Sequence, residues 1–495
     1  MDNHARIAHP LLYEVHTRDW LSRFSDGVRL CQLDELPDHE LDRIAGLGFN
    51  WIWLLGIWQT GPLAADISRN NPAWRLEYQE SLSGFKEQDI TGSTFAIDAY
   101  QVHRDFGGPN ALGVLRKRLT TRGIRLLLDF VPNHTAPDHP WVHQHPDYYV
   151  NGTESDLARE PNNFVRLDTG TGRHIFARGR DPYFPAWPDT LQLNYGNPAL
   201  QAAMTDELKE IAGQCDGVRC DMAMLILPEV FRRTWAIDAH PFWPSAIAAV
   251  HQLHPRFLFM AEVYWGLDRQ LQELGFDYTY DKSLYDLLLQ RNAKGIQAHL
   301  AADASFIGKS VHFLENHDEA RIATQLPLPV HQAAAAITFL LPGMCFFHDG
   351  QLEGLRRKPS IHLARRMDEP TDPDLQSFYL KLLQILQDQV VSGDWLPLHT
   401  VPAWQGNPSD QSFVTFGWFN KNRVDAILAV NYADHRSQCY VLFPARSLAA
   451  SENVILENLL GPEHYERSSE ELQRKGFYMD VDAWSTQLFA FRSDT

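Results

Sequence analysis

Three carboxylates (Asp221, Glu262 and Asp318), two histidines (His134 and His317) and an arginine (Arg219) stand out at the ends of four short apolar runs: DFVPNH (Asp129 to His134), GVRCDM (Gly217 to Met222), FMAEVYW (Phe259 to Trp265) and ENHD (Glu315 to Asp318). An apolar run closing on polar residues is how a buried parallel strand delivers its last side chains to one end of a barrel. Arg219 and Asp221 are two residues apart, which puts them on the same side of a strand. A guanidinium there keeps a carboxylate ionised, the state a nucleophile needs. Glu262 is set among Met260, Ala261, Val263, Tyr264 and Trp265, and apolar surroundings raise a carboxylic acid's pKa towards that of a general acid. A nucleophilic and an acid/base carboxylate about 5–5.5 Å apart are the equipment for retaining cleavage of a glycosidic bond, and a wider gap serves inversion. Each residue alone has a plainer reading: a buried Arg–Asp ion pair in a barrel wall, a strand-end Glu salt-bridged to a helix, a hydrogen-bonded core histidine.

Strand-like runs alternate with amphipathic helical segments, as in repeated βα units. The runs are Leu11 to Val15, Phe49 to Trp58, Ile124 to Val131, the GVRCDM segment, FLFMAEVYW, a weaker Phe276 to Tyr280, VHFLENHD and Met344 to Gly350. Leu41, Ile44 and Leu47 recur at helical spacing before the second, and Gly123 ends a helix before the third. Eight such units predict an α/β fold, a (β/α)8 barrel enlarged by insertions. Residues 59–92 and 135–195 read as long loops rich in turn formers and aromatics. Beyond about residue 395 the texture turns to alternating strands, as in an antiparallel β-sandwich.

The four segments resemble the four signature regions of the α-amylase superfamily, glycoside hydrolase family 13. The resemblance implies that Asp221 is the nucleophile, positioned by Arg219, and Glu262 the acid/base. It implies that Asp318 grips the ring hydroxyls of the sugar, that His317 and His134 donate to the same ring, and that Asp129 supports Arg219 and His134 from behind. The stretch GSTFAIDAYQVHRDFGG resembles one in which a Tyr stacks beneath the sugar. Phe95 takes that place without the hydroxyl, and core packing is its plainer reading. Domain organisation follows by the same resemblance: residues 1–134 and 196–390 as the barrel, 135–195 as an inserted B subdomain after strand three, and 391–495 as the C-terminal β-sandwich.

No cofactor is implied. Many α-amylases hold a structural Ca2+, for which Asn133 and Asp189 are the weak candidates here. The Lys-His pair that the family often carries after the nucleophile, and uses on the leaving-group side, is replaced by Met224 and Leu225. The expected function is a retaining α-glucosidase or amylase acting on α-linked glucans or short malto-oligosaccharides. The alternative is a transglucosylase, or an isomerase or synthase of sucrose, maltose or trehalose. A non-catalytic carbohydrate-binding relative is a third reading, which the intact Asp221, Glu262 and Asp318 oppose.

Composition agrees with a neutral sugar as partner. A net charge of −18 argues against nucleic acid and anionic membrane. Aromatics make up 12% of the chain, with 14 tryptophans, and sugar sites use such faces. Among loop aromatics, Trp58, Tyr183, Phe184, Trp187 and Trp265 are pocket candidates, with ordinary packing the alternative for each. The five cysteines are scattered without metal-ligand spacing and read as buried free thiols. No window approaches a membrane span, and the N-terminus lacks a leader-like pattern. A cytoplasmic enzyme is the expectation.

Overall fold

Alternation of apolar strands with amphipathic helices closes, in the computed structural model, into a barrel of eight strands. The structure describes residues 9–27, 29–388, 391–421, 423–448 and 453–493, so the leader-free reading of residues 1–8 lies outside the described residues. The barrel strands are β1 (Leu11–His16), β2 (Trp51–Leu55), β3 (Arg125–Phe130), β4 (Gly217–Cys220), β5 (Leu258–Ala261), β6 (Tyr278–Tyr280), β7 (Ser310–Phe313) and β8 (Met344–His348). Their order round the barrel is the order of the chain. Runs such as WIWLL in β2 are buried at every position, as expected of strands covered on both faces. The chain divides into two compact units, one of Tyr13–Tyr280 and Arg357–Asp368, the other of Met1–Leu12, Asp281–Arg356 and Glu369–Thr495.

In the first unit the parallel register sets Arg219 beside Asp129 on one side and beside Met260 on the other. Helices α1 (Asp38–Gly46), α2 (Gly108–Thr120) and α3 (Pro198–Gln214) follow the predicted periodicity. In α3, Leu200, Met204, Leu208 and Ile211 form the buried stripe. Residues 59–92 differ from the loop expected of them. They contain two helices, Pro62–Asn70 and Pro72–Ser81. Their prolines sit in the first turn, where proline is preorganised for a helix, and Asn71 caps the second by accepting from the Ala73 and Trp74 N–H groups. The excursion after β3 is closed by pairing of His134–Thr135 with Leu191–Gln192 and carries a hairpin, Phe164–Thr169 against Gly172–Ala177. Helix α4 (Pro228–Trp235) follows β4.

In the second unit β7 pairs with β8 in parallel. Helix α5 (Leu328–Phe339) is buried nearly all round, and α6 is Pro373–Gln387. The C-terminal strands are β9 (Asp394–Pro397), β10 (Thr400–Pro402), β11 (Phe413–Asn420), β12 (Arg423–Asn431), β13 (Ser437–Val441), β14 (Asn453–Asn458), β15 (His464–Ser468), β16 (Phe477–Val481) and β17 (Thr486–Ser493). They form a six-stranded sheet, β9-β11-β12-β17-β14-β15, and a three-stranded sheet, β10-β13-β16. Phe413, Ile427, Leu456 and Phe489 of the first share one core with Cys439, Val441, Phe477 and Met479 of the second. That is an antiparallel sandwich. Among the described residues, no helix is long and apolar enough to cross a membrane, and all five cysteines are buried and unpaired.

Candidate active site

Arg219 organises the open end of strands β3 to β5. Its side chain is fully buried at 0% exposure, so its charge must be met inside the protein. One terminal nitrogen donates to Asp221 Oδ1 at 2.5 Å and the other to Glu262 Oε2 at 2.7 Å. Asp129 Oδ1 lies 3.6 Å away. The rings of Trp53, Phe95 and Tyr280 face the guanidinium at 5.1, 5.2 and 6.0 Å. Burial works against the charge, but Glu262, Tyr280, Asp221 and Asp129 outweigh it and hold Arg219 well above its usual range. The expected pairing of Arg219 with Asp221 is therefore present, and the same guanidinium also holds Glu262.

The surroundings of Glu262 differ from the apolar setting its sequence neighbours suggested. Its Oε2 also accepts from the Met222 N–H at 2.8 Å, and its Oε1 from the Tyr264 hydroxyl at 2.8 Å. Met222 adopts a left-handed backbone, φ 43°, uncommon for a side-chain-bearing residue. That turn directs its N–H across to the neighbouring strand's carboxylate. Of these donors, Arg219 and Met222 reach it from β4 and the turn that follows β4. The Tyr264 contact follows from its place two residues after Glu262, on the same side of an extended chain.

His134, Phe95 and Asp129 gather round this core. His134 is buried, and burial lowers its pKa while Asp221 opposes the shift. Asn133 Nδ2 lies 3.4 Å from its Nδ1, and the ring of Trp187 packs on it at 5.2 Å. Phe95 lays its ring on Arg219 and is half-buried. Asp129 Oδ2 accepts from the Gly56 N–H at 3.3 Å, and its carbonyl accepts from the Trp58 indole at 2.7 Å. Gly56 has φ 74°, and a Cβ there would meet the Thr94 side chain at 2.5 Å, so this close approach requires glycine. Trp58 is thus a packed support, whereas Tyr183, Phe184 and Trp265 are exposed. Met224 and Leu225 are buried in a short 3-10 turn and offer no surface to a ligand.

In the second unit, His317 and Asp318 follow β7, with His317 Nε2 2.8 Å from Asp318 Oδ2. His317 is buried, and Asp318 is 42% exposed. Asn316 Oδ1 accepts from the N–H groups of Asp318 and Glu319 at 2.9 Å each, which fixes the turn. Behind it, Glu315 accepts from Arg321 at 2.5 Å and from the Ile322 N–H at 2.7 Å. Burial disfavours its charge, but Arg321 and His348 prevail and hold its pKa down to about 2. Gln351 continues this buried network from the His348 N–H to the Tyr379 hydroxyl.

The calcium candidates do not make a fitting set of ligands. Asn133 Oδ1 already accepts from Gln192 Nε2 at 2.9 Å. Asp189 is the only carboxylate of the pair, and the positive charge of Arg178 acts on it. A hard dication takes six or more oxygens, and among the described residues no three His, Cys, Asp or Glu side chains converge as a metal site. Asp189 is instead a buried acid pushed up to about 6, by burial first, with a backbone hydrogen bond and Arg178 opposing. A carboxyl with a folded pKa above its unfolded value of about 4 loses stability as pH rises from 4 through 6, by about 3 kcal/mol in all. Asp189→Asn is therefore expected to gain about that much on wild type between pH 4 and pH 8. Denaturant unfolding of both proteins at the two pH values in EDTA measures it, and a pH-independent difference rejects it. Exchanging EDTA for calcium is expected to leave both unfolding curves in place.

The chain is similar to known proteins in sequence and in fold. The family described as "Alpha amylase, catalytic domain" matches residues 33–378. The chain is similar to Alpha-amylase 3 of Dictyoglomus thermophilum, 23% identical over 74% of this chain and 68% of that protein. It is also similar to the trehalose synthase/amylase TreS of Mycobacterium tuberculosis, 28% identical over 46% of this chain and 33% of that one. It spans 68%, 52% and 61% of the length of three curated relatives it matches. Among solved structures, the noncanonic maltogenic α-amylase AmyB of Thermotoga neapolitana has the same fold, with a TM-score of 0.68 at 18% identity over 97% of this chain and 98% of that one.

Proposed function

Because the chain belongs to the α-amylase family, glycoside hydrolase family 13, we propose that it is a retaining enzyme of α-glucosides, acting on α-linked glucans or short malto-oligosaccharides. The observation that carries the reading is the single guanidinium of Arg219 bracketing Asp221 and Glu262 on its two terminal nitrogens. Only two carboxyl groups that are close neighbours can be held in this way, and close neighbours suit a retaining pair.

Asp221 attacks the anomeric carbon while Glu262 gives its proton to the glycosidic oxygen, so the C–O bond breaks and a covalent glycosyl-enzyme remains. Oε2 of Glu262 is committed to Arg219 and the Met222 N–H, so the proton is exchanged at Oε1, beside the Tyr264 hydroxyl. Glu262 then takes a proton from water, whose oxygen displaces Asp221 from the sugar. His134, His317 and Asp318 bind ring hydroxyls, Phe95 lies under the ring, and Asp129 steadies Arg219. In the same reading residues 135–195 act as an inserted B subdomain, 391–495 as the C-terminal domain, and 1–134 with 196–390 as the barrel. Five buried, unpaired thiols support a reducing, cytoplasmic setting.

The same intermediate delivered to a sugar hydroxyl would give transfer or isomerisation, a second reading supported by the similarity to a trehalose synthase/amylase. Maltose, malto-oligosaccharides, sucrose and trehalose, followed by chromatography and by NMR of the first-formed anomer, separate the outcomes. Shorter sugars released as the α-anomer are expected. Rearranged or longer sugars favour transfer, and a first-formed β-anomer rejects retention.

A further inference from the structure

Resting on that reading of Asp221 and Glu262, we propose that Arg233 recognises a negative charge on the group bound beyond the scissile bond, so that the preferred aglycone carries a carboxylate or a phosphate. Tyr183 and Trp265 are large aromatics left 58% and 38% exposed. Their rings meet edge to face at 5.0 Å, and the Arg233 guanidinium lies over both, 5.3 Å from Tyr183 and 5.8 Å from Trp265. Aromatic faces hold a guanidinium flat and leave its planar fork of donors pointing outward, the geometry that pairs with carboxylate or phosphate.

Both feet of this clasp stand on the candidate catalytic residues. Trp265 follows Glu262 by three residues, with Tyr264 between them bonded to Glu262. Its own backbone is left-handed, φ 63°, a strained conformation of the kind that accumulates at functional sites. Tyr183 rides a turn locked by Asp181 Oδ1, which accepts from the Tyr183 and Phe184 N–H groups at 2.6 and 2.9 Å. That loop is pinned where the Trp187 N–H donates to the Gly179 carbonyl at 2.8 Å, and Trp187 packs on His134. The arch therefore runs from His134 after β3 to the residues after Glu262 on β5, and β4, which carries Asp221, lies between those strands.

Arg233 has no carboxylate within salt-bridge distance among the described residues, whereas its neighbour Arg232 pairs with Asp238 at 2.5 Å. Glu229 lies one turn earlier on α4, at the i,i+4 spacing at which a Glu–Arg pair is favourable. It accepts from Gln270 Nε2 at 2.7 Å instead. An unpaired cation framed by two exposed rings, one of them three residues from Glu262, is poised for an anion. In the proposed reading Glu262 protonates the leaving oxygen, so a clasp anchored on Trp265, three residues after it, flanks the departing group.

The test is a matched series of α-glucosides whose aglycones are glycerol, glycerate and glycerol phosphate, with a neutral aryl α-glucoside as a reporter of the reaction centre. Wild type is expected to favour one of the charged aglycones over glycerol by at least tenfold in kcat/KM, and the better of the two identifies carboxylate or phosphate as the ligand. Arg233→Gln is expected to erase that preference while staying within twofold of wild type on the aryl glucoside, and Arg233→Lys to restore part of it. Turnover with no preference for charge, or a Gln variant equally impaired on every substrate, overturns the proposal and leaves the parent reading standing. A wild type inert even on the aryl glucoside brings down both.

Discussion

Asp221→Asn is expected to lower kcat by about 10^4-fold or more, the scale seen when a nucleophilic centre loses one essential member, while the protein stays folded. The amide keeps the volume of the carboxylate and removes its charge. Arg219 still faces Glu262 at 2.7 Å and Asp129 at 3.6 Å, so the buried cation is not left alone. Circular dichroism and the unfolding midpoint should therefore stay close to wild type, and the loss should lie in the chemical step. A second variant separates nucleophile from scaffold. Asp221→Gly, given azide and an aryl α-glucoside, is expected to regain turnover and to release β-glucosyl azide. Azide then attacks the anomeric carbon from the face the carboxylate left, aryloxide departs, and one displacement inverts the centre. An Asn variant retaining more than about a hundredth of the activity, or an azide product of α configuration, would remove Asp221 from the reaction.

The residues that chemistry needs were readable because strand geometry reports itself in sequence. Arg219 and Asp221 share a face by parity alone, and all eight predicted strands occur in the barrel. What stayed hidden depends on neighbours that are remote in the chain. Glu262 was expected among apolar groups because its sequence neighbours are apolar, yet Arg219 and the Met222 N–H reach it from β4. The rings of Trp53 and Tyr280 round the guanidinium come from two further strands, and no local pattern announces them. Pro and Asn in residues 62–81 favour a loop as turn formers; the same residues at the first turn of a helix begin it. In the sandwich the central strands β11, β12 and β17 were legible from their alternation. An edge strand such as β15, HYERS, is short and charged, which protects an edge and erases the signal.

The second large effect should come from Arg219. Arg219→Met is expected to destabilise the fold by about 3–5 kcal/mol, because removing one member of a buried ion cluster leaves the others uncompensated. Activity should fall by at least about 10^2-fold, since the two carboxyl groups lose their common reference and small misplacements of reacting groups are costly. Lost packing against Trp53, Phe95 and Tyr280 could mimic the first effect, but Met retains much of the side-chain volume. The decisive comparison is Arg219→Met with Asp221→Asn added, because Asp221 is the acid that stays ionised beside the guanidinium. If the destabilisation is buried uncompensated charge, neutralising one of the acids should recover part of it, so the double variant unfolds at a higher denaturant concentration than the single Met variant. If it is lost packing, the second substitution adds its own penalty and the double variant is weaker still. Arg219→Lys sharpens the distinction: it returns the charge and with it part of the stability, but an ammonium has no fork to bracket Asp221 and Glu262 together, so activity should stay low. A Lys variant as active as wild type would mean that charge alone, and not the shared guanidinium, holds the pair in place.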